Sequence, residues 1–600
     1  MSSSPPSTAD AQPPLRWSRA DAAAATAYAV VAFWMLSRLF VDPRGTYLSQ
    51  GVQDQQAFEW YFGATAHSLA TFSNPLFSTL QNHPTGVNML ANATVMGLGI
   101  PFAPITLTLG PHWTFLLIEW LGFAATAWCW YALFVRRMGA HRAAAFIGGL
   151  FVGFSPAMVS HGNGHPNFLA QFLVPVIIDR LIDLGQAHPR RLVWRKGTVL
   201  GLVVTWQLWM GEEVLLLAAV GIAIAALAML VQRRLPWRTM LPGVAIGVLT
   251  TVLLFAFPLW WQFAGPQSYT SMWQPVATND LASLWGRATR TIGADPWASA
   301  ALSMNRTEEN AFFGVPLWPV LLGLVVLLLR RPVVRASALV VLVSVWLSLG
   351  SEVTLHGKAT SIPGLWSLVA DLPLFESVLP TRLTLVTVPA AAAILVAALD
   401  WAIRRSWGPT RVRVRQHSGD PIWQRWGPLG VIGVAVTLAL APMVPTRLWA
   451  DPRPVVPEFF TSGDWRSYLD GGAVLGVPPP DIVDMRANDW QASARWEFPL
   501  VEGYFMGPDG SGSGVGTRGA VRRPFSQWLA EIARDQVPRV ATPIEIEQFR
   551  SDLRFWRADL VVLPPRPDNA LLRVSVESVL GPATESGGVA FWDVRRWRDG

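Results

Sequence analysis

The sequence predicts an all-α polytopic membrane domain of about eleven transmembrane helices, followed by a small C-terminal α/β domain outside the cytoplasm. Three observations carry this. The 600 residues are 51% hydrophobic and only 14% charged, whereas a soluble domain carries about a quarter charged residues. Tryptophan is abundant, at 31 residues. Trp34, Trp113, Trp209, Trp260 and Trp261 stand at the ends of apolar segments, where an amphipathic ring prefers headgroup depth. Beyond residue 445 the long apolar runs stop and the composition becomes that of a soluble protein.

Charge and cysteine content narrow the classes further. Cys129 is the one cysteine, which excludes an intrachain disulfide and a thiolate metal site. The net charge of +7 does not indicate nucleic acid, because the arginines fall in short loops between apolar segments, where they orient a membrane protein. Of 47 basic residues only Lys196 and Lys358 are lysine. Lysine codons are A-rich, so this usage points to a GC-rich bacterial genome and a bacterial plasma membrane. Residues 1–20 read as a cytoplasmic N-terminus whose Ser/Pro-rich start is disordered. The apolar stretch that follows has no clear cleavage site and is read as a retained first span rather than a signal peptide.

Apolar runs long enough to cross a bilayer lie near 21–41, 113–135, 142–160, 166–185, 197–212, 213–232, 241–263, 313–329, 334–350, 383–403 and 427–445. The stretch 92–110 is also apolar, but Gly97, Gly99, Pro101 and Pro104 interrupt it, so it is read as re-entrant or interfacial. With the N-terminus in the cytoplasm, every basic cluster falls on the inside: Arg136/Arg137/Arg142, Arg190/Arg191/Arg195/Lys196, Arg233/Arg234/Arg238, Arg330/Arg331/Arg335 and Arg404/Arg405/Arg411/Arg413/Arg415/Arg425. A spanning 92–110 would reverse this. The membrane domain is thus 21–445, with a first outer loop at 42–112. An odd number of spans leaves 446–600 outside. In that tail, strands are expected at 473–477, 560–563 and 589–594, helices at 524–535 and 543–556, and a flexible loop at GPDGSGSGVGTRG, residues 507–519.

The first outer loop is the most informative stretch. GVQDQQAFEWYFGATAHSL has helical spacing, with Phe58, Trp60, Tyr61 and Phe62 placed for the membrane interface. Asp54 opens that helix, where the positive helix end keeps a carboxylate ionised. It can take a proton from a hydroxyl or simply cap the helix. His161 and His165 are four residues apart, yet Gly162, Asn163 and Gly164 between them favour a turn at a helix start over a metal site. Glu212 and Glu213 sit at a span junction, where carboxylates are costly and usually functional. Arg38 and Arg382 stand near the outer ends of spans one and ten. Either guanidinium suits a phosphate. The plainer readings are snorkelling for Arg38 and pairing with Glu376 for Arg382.

A single span, an outer loop with an early Asp, a Trp-bearing amphipathic helix and a Pro84-x-Gly86-x-Asn88 stretch together resemble the GT-C superfamily of membrane glycosyltransferases. Gly164-His165 after a later span, Glu309 ahead of Phe313-Gly314, and Arg382 entering a late span extend the resemblance over residues 20–445. The tail resembles the small extracytoplasmic domains that some members append. The resemblance implies a polyprenyl-phosphate sugar as donor and co-substrate, and a cell-envelope glycan, lipid or protein as acceptor, with inversion. It implies Asp54 as catalytic base, with Glu309 as the second acid and Glu212 and Glu213 as further candidates. Arg382, Arg38, Glu212, Glu213, His165, His83 and Trp60 are the expected substrate-binding residues. The loop has Asp54-Gln55 where the best-known subfamilies have paired acids. No metal ligand set is expected, although a divalent cation is compatible with the chemistry. Two other readings use the same features: a transporter or lipid flippase, and a non-catalytic envelope scaffold.

Overall fold

The computed structural model describes residues 17–272, 277–407 and 422–598. The N-terminal 1–16 and Arg411, Arg413 and Arg415 lie outside the described residues.

Each of the eleven apolar runs folds as helix. Five helical segments are long and apolar enough to cross a membrane: Pro111–Arg137, Arg142–His161, Glu212–Val231, Trp237–Ala264 and Pro380–Ser406. Leu317–Leu327, Pro332–Ser348 and Gly427–Met443 are shorter apolar helices. The first run is Arg19–Met35 continued by Ser37–Val41. The fourth is broken into Pro166–Leu169 and Leu173–Leu184. The 92–110 stretch is not one helix: Met96–Gly99 and Ala103–Leu109 are too short to span.

The helices bury one another's small residues. A Cβ on Gly149 would meet the Tyr28 hydroxyl, and one on Gly197 would meet the Gly243 carbonyl at 2.6 Å. At the arginine-rich end, acids accompany the arginines. Arg142 binds Asp21, Arg137 binds Asp179, Lys196 binds Asp183 and Arg404 binds Asp400. Acids therefore stand at this end of the helices too. The four acids neutralise three arginines and a lysine; all but the Asp400–Arg404 pair, which lies within one helix, tie neighbouring helices together.

Residues 450–598 hold a four-stranded mixed sheet. Ala558–Leu563 is central, parallel to Ala473–Gly476 and antiparallel to Val589–Asp593, with Thr584–Ser586 at the edge. Helices Pro524–Asp535 and Pro543–Trp556 bury Phe525, Trp528, Phe549 and Leu553 against it. The GPDGSGSGVGTRG stretch is a β-hairpin, not a loose loop. Met506–Pro508 pairs with Val515–Arg518, which pairs in turn with Ser271–Met272 of a membrane-domain loop. Its glycines at 510, 512 and 514 supply the positive φ that the turn requires.

The tail is built into the first loop. Thr46–Leu48 pairs antiparallel with Ala450–Pro452, and the His83 amide donates to the Leu500 carbonyl. Trp60, expected at the membrane interface and as a substrate contact, is buried instead, and its indole donates to Gln491 at 2.8 Å. Phe58, Tyr61 and Phe62 are buried with it. His83 is half-buried beside the tail. Both its ring nitrogens are buried without a hydrogen-bond partner, and burial lowers its pKa. The aromatic pattern looks amphipathic in sequence, but the rings are buried, with the Trp60 indole bonded to the tail.

Arg453 seals the joint, reaching Glu59 at 2.5 Å and Asp489 at 3.2 Å with a side chain only 3% exposed. His112 takes the other Glu59 oxygen at 2.9 Å. Burial alone would raise Glu59, but Arg453 and His112 outweigh it and hold the carboxyl down at about 2. Arg453→Met leaves two buried carboxylates without their counter-ion. It is expected to cost about 3–5 kcal/mol, read as a lower melting temperature and earlier tryptic cleavage within 446–598. Burial lifts the Glu502 carboxyl to about 7, against the pull of Ser526 and Arg522. The native state therefore keeps a proton that the unfolded state releases near 4.5, and stability falls as pH rises through that window. Glu502→Gln is expected to remove up to about 3 kcal/mol of that loss, seen as a flatter melting temperature between pH 5 and pH 7.

Candidate functional site

The loop between the third and fourth apolar runs, residues 161–168, is where the helices converge. Gly164 has φ +116°, a conformation open chiefly to glycine. The backbone here lies directly on the first-loop helix Val52–Ala70: a Cβ on Gly51 would stand 1.5 Å from the Asn163 carbonyl oxygen. A Cβ on Gly211, just before Glu212, would stand 2.6 Å from the Asn167 carbonyl. Two glycines thus let one loop touch the starts of two helices that carry carboxylates.

The side chains form one continuous chain of contacts. Asp54 does not cap its helix: Gly51 holds the cap position, with no side-chain cap, and the Asp54 carboxylate lies 3.1 Å from His165 Nε2. His165 Nδ1 faces His161 Nδ1 at 3.1 Å. His161 is fully buried and stacks on Phe168, with ring centres 4.4 Å apart. The Arg382 guanidinium lies over Phe168, also at 4.4 Å. Arg382 donates to both oxygens of Glu213 at 3.0 and 2.8 Å, and from Nε and Nη2 to Glu308 Oε1 at 3.0 and 2.6 Å. The Asn310 amide satisfies the other Glu308 oxygen at 2.8 Å. Gln262 donates to Glu212 at 3.0 Å.

Of the residues chosen from sequence, Asp54, His165, Arg382 and Glu213 meet in this network, with Glu212 at its edge. Arg382 pairs with Glu213 and Glu308 rather than Glu376. Glu309 is placed elsewhere. Its carboxylate accepts from the Thr289 amide and hydroxyl, both at 2.6 Å, and from Arg306 at 2.8 Å, which leaves it holding the 287–309 loop together. The acid in the site is Glu308. Two adjacent glutamates in an irregular segment point opposite ways, and sequence alone did not choose between them. His161 and Phe168 were likewise missed as site members. Pro84, Gly86 and Asn88 are structural: Asn88 caps Met89–Ala91 and its amide donates to the Trp261 carbonyl.

His161, His165 and Glu308 each offer a ligand atom, and these atoms lie within 4.8 Å of one another. Two imidazoles and a carboxylate suit a divalent cation of borderline softness. The turn between the histidines folds them face to face, which brings together a candidate ligand set that their spacing did not suggest. A second such group, Glu59, His112 and Asp489, already encloses the Arg453 guanidinium.

Beneath the site runs an apolar cavity of about 550 Å³. Gln171, Val214 and Leu385 line it at the site end, next to Glu213 and one turn from Arg382. Arg234 and Pro236 line its far end.

No protein-family model matches the chain, and no curated protein matches it. The cryo-EM structure of the arabinofuranosyltransferase AftD from Mycobacteria matches with a TM-score of 0.53 and 15% identity, over 97% of this chain and 40% of that one. The fold is GT-C-like. The chain spans about two fifths of the length of that mycobacterial protein. Two other solved structures match less well. One is ArnT from Cupriavidus metallidurans bound to undecaprenyl phosphate (TM-score 0.44, 12% identity, 95% of this chain and 97% of that one). The other is the oligosaccharyltransferase AglB from Archaeoglobus fulgidus in complex with an inhibitory peptide and a dolichol-phosphate (0.46, 9%, 91% and 69%). Within this GT-C-like fold, the network above joins the first-loop helix to the later helices.

Gly51→Ala forces the Asp54 helix away from the 161–168 loop. It is expected to destabilise the protein by at least about 2 kcal/mol. Gly323→Ala meets nothing within 4 Å and is expected to leave the melting temperature unchanged or slightly raised.

Proposed function

We propose that this protein is a membrane glycosyltransferase. It transfers a sugar, with inversion, from a polyprenyl-phosphate donor to an acceptor hydroxyl on a glycan, lipid or protein of the bacterial cell envelope. The observation that carries the reading is the unbroken network from Asp54 to Arg382 and Glu213 at the mouth of an apolar cavity. In it, Asp54 takes the proton of the acceptor hydroxyl. The hydroxyl oxygen bonds to the anomeric carbon as that carbon's bond to the donor phosphate oxygen breaks, and the phosphate leaves with the electron pair. His165 holds the Asp54 carboxylate in position. The cavity accepts the prenyl chain, whose apolar character suits its lining. Two carboxylates, Glu308 and Glu213, share the single Arg382, so the centre is poor in positive charge for a departing phosphate. A divalent cation on His161, His165 and Glu308 would supply that charge.

The arginine distribution keeps the N-terminus in the cytoplasm and residues 446–600 outside, in a multi-pass arrangement of eleven spans. The network then lies at the outer leaflet. The carboxylates of this network stand at helix starts and in a loop, which favours chemistry at the surface over transport.

The test is transfer of labelled sugar from a polyprenyl-phosphate donor by the purified chain. Asp54→Asn is expected to lower turnover by about a hundredfold or more with an unchanged melting temperature. Glu308→Gln is expected to lower turnover too, whereas Glu309→Gln is expected to act mainly through stability. Normal turnover by the Asp54→Asn protein would overturn the reading.

A further inference from the structure

Arg290 is a buried guanidinium without a counter-ion. It is only 3% exposed, forms no salt bridge among the described residues, and its Nη2 has no hydrogen-bond partner. Its Nε reaches Gln50 Oε1 at a long 3.4 Å, and the Trp449 ring lies against its face. The nearest acid, Glu309, is already saturated by Arg306 and Thr289. Desolvation lowers Arg290 to about 9, and the fields of Arg38 and Arg306 outweigh none of that loss: both lower it further, with only Glu309 opposing. An unpaired buried arginine is costly, and its ordinary complement is an oxyanion held by the planar fork.

Its setting identifies the oxyanion. Arg38, the second guanidinium acting on it, is exposed at the end of the first apolar run. Around it stand Trp34 and Val41, 45% and 86% exposed, and Trp449 is itself 41% exposed. These exposed apolar side chains at a helix end mark a lipid-facing edge. The site shares no residue with the apolar cavity beside Glu213, so a donor chain seated there leaves it open. Gln50 lies four residues ahead of Asp54, which places the site at the entrance to the same helix.

We propose that Arg290 and Arg38 bind the phosphate of a membrane lipid under Trp449, and that this phospholipid is the acceptor. The second clause rests on the glycosyl-transfer reading; the first does not. Because Arg290 touches Gln50, a lipid phosphate held there brings its headgroup to the start of the helix that carries Asp54.

Binding of a short-chain phosphatidylglycerol to the full chain in detergent tests this directly, with inorganic phosphate as the second probe. The wild-type protein is expected to bind the phospholipid more tightly than inorganic phosphate. Arg290→Gln is expected to weaken phospholipid binding about tenfold or more. Arg290→Lys, which keeps the charge but loses the fork, is expected to fall between. Arg38→Gln, a change at an exposed position, is expected to weaken binding several-fold with an unchanged melting temperature. Equal affinity for inorganic phosphate would overturn the lipid assignment, and unchanged affinity in Arg290→Gln would overturn the site. If Arg290→Gln does not fold, unchanged binding by Arg38→Gln overturns it. Asp54→Asn is expected to bind the phospholipid normally, so loss of transfer and loss of this site are separable. Phospholipid binding without any glycosylation of that lipid by the wild-type chain would overturn the acceptor clause alone.

Discussion

The close approach of the 161–168 loop to the start of the first-loop helix governs the rest of the site. Backbone touches backbone there, with Gly51 beneath the Asn163 carbonyl and Gly164 beside Asp54. Any side chain at position 51 would push the helix off. Because the contact is made by main chain, Asp54 and His165 need no long side chain to meet, and little rotamer freedom is lost in holding them. The same loop sets Asn167 against Gly211 and Phe168 beneath Arg382. One short segment therefore fixes three helices relative to one another, and the carboxylates they carry converge.

Around that contact the charges are arranged for position more than for stability. Arg382 is shared between Glu213 and Glu308, and Arg453 between Glu59 and Asp489. Desolvating such groups offsets most of their attraction, so they add little net stability while making alternative packings expensive. In both clusters carboxylates outnumber the arginine. At Arg453 a histidine, His112, makes up part of the difference. At Arg382 the nearby histidines face each other and Asp54 rather than Glu213 or Glu308, which leaves that centre able to take a further cation. Arg290 shows the opposite imbalance, with positive charge and no acid.

The tail takes part in the same geometry. Its strand Ala450–Pro452 extends the first loop, Gln491 holds Trp60, and Arg453 grips Glu59 one turn beyond Gln55. The first-loop helix is thus clamped between the 161–168 loop and the tail. That double clamp explains why its aromatic residues are buried although their pattern suits a membrane surface.

The sequence by itself determined the helical elements and several site residues. Apolar runs bounded by arginine clusters gave helices at every expected place, because a chain with few charges over twenty residues has little else it can form in lipid. Period-two and period-3.6 patterns gave the tail's main strands and two of its helices, Pro524–Asp535 and Pro543–Trp556, but not Arg486–Ser493 or Asn569–Leu580. Asp54, Glu213 and Arg382 were legible because a charge at the end of an apolar run is costly without a partner. Only tertiary structure decided which charges meet. It separated Glu308 from Glu309, turned Trp60 and His83 toward the tail, folded the glycine-rich 507–519 stretch into a hairpin against Ser271–Met272, and brought His161 onto His165. Those outcomes depend on contacts between segments far apart in the chain, and local periodicity carries no information about which distant surface a side chain will face.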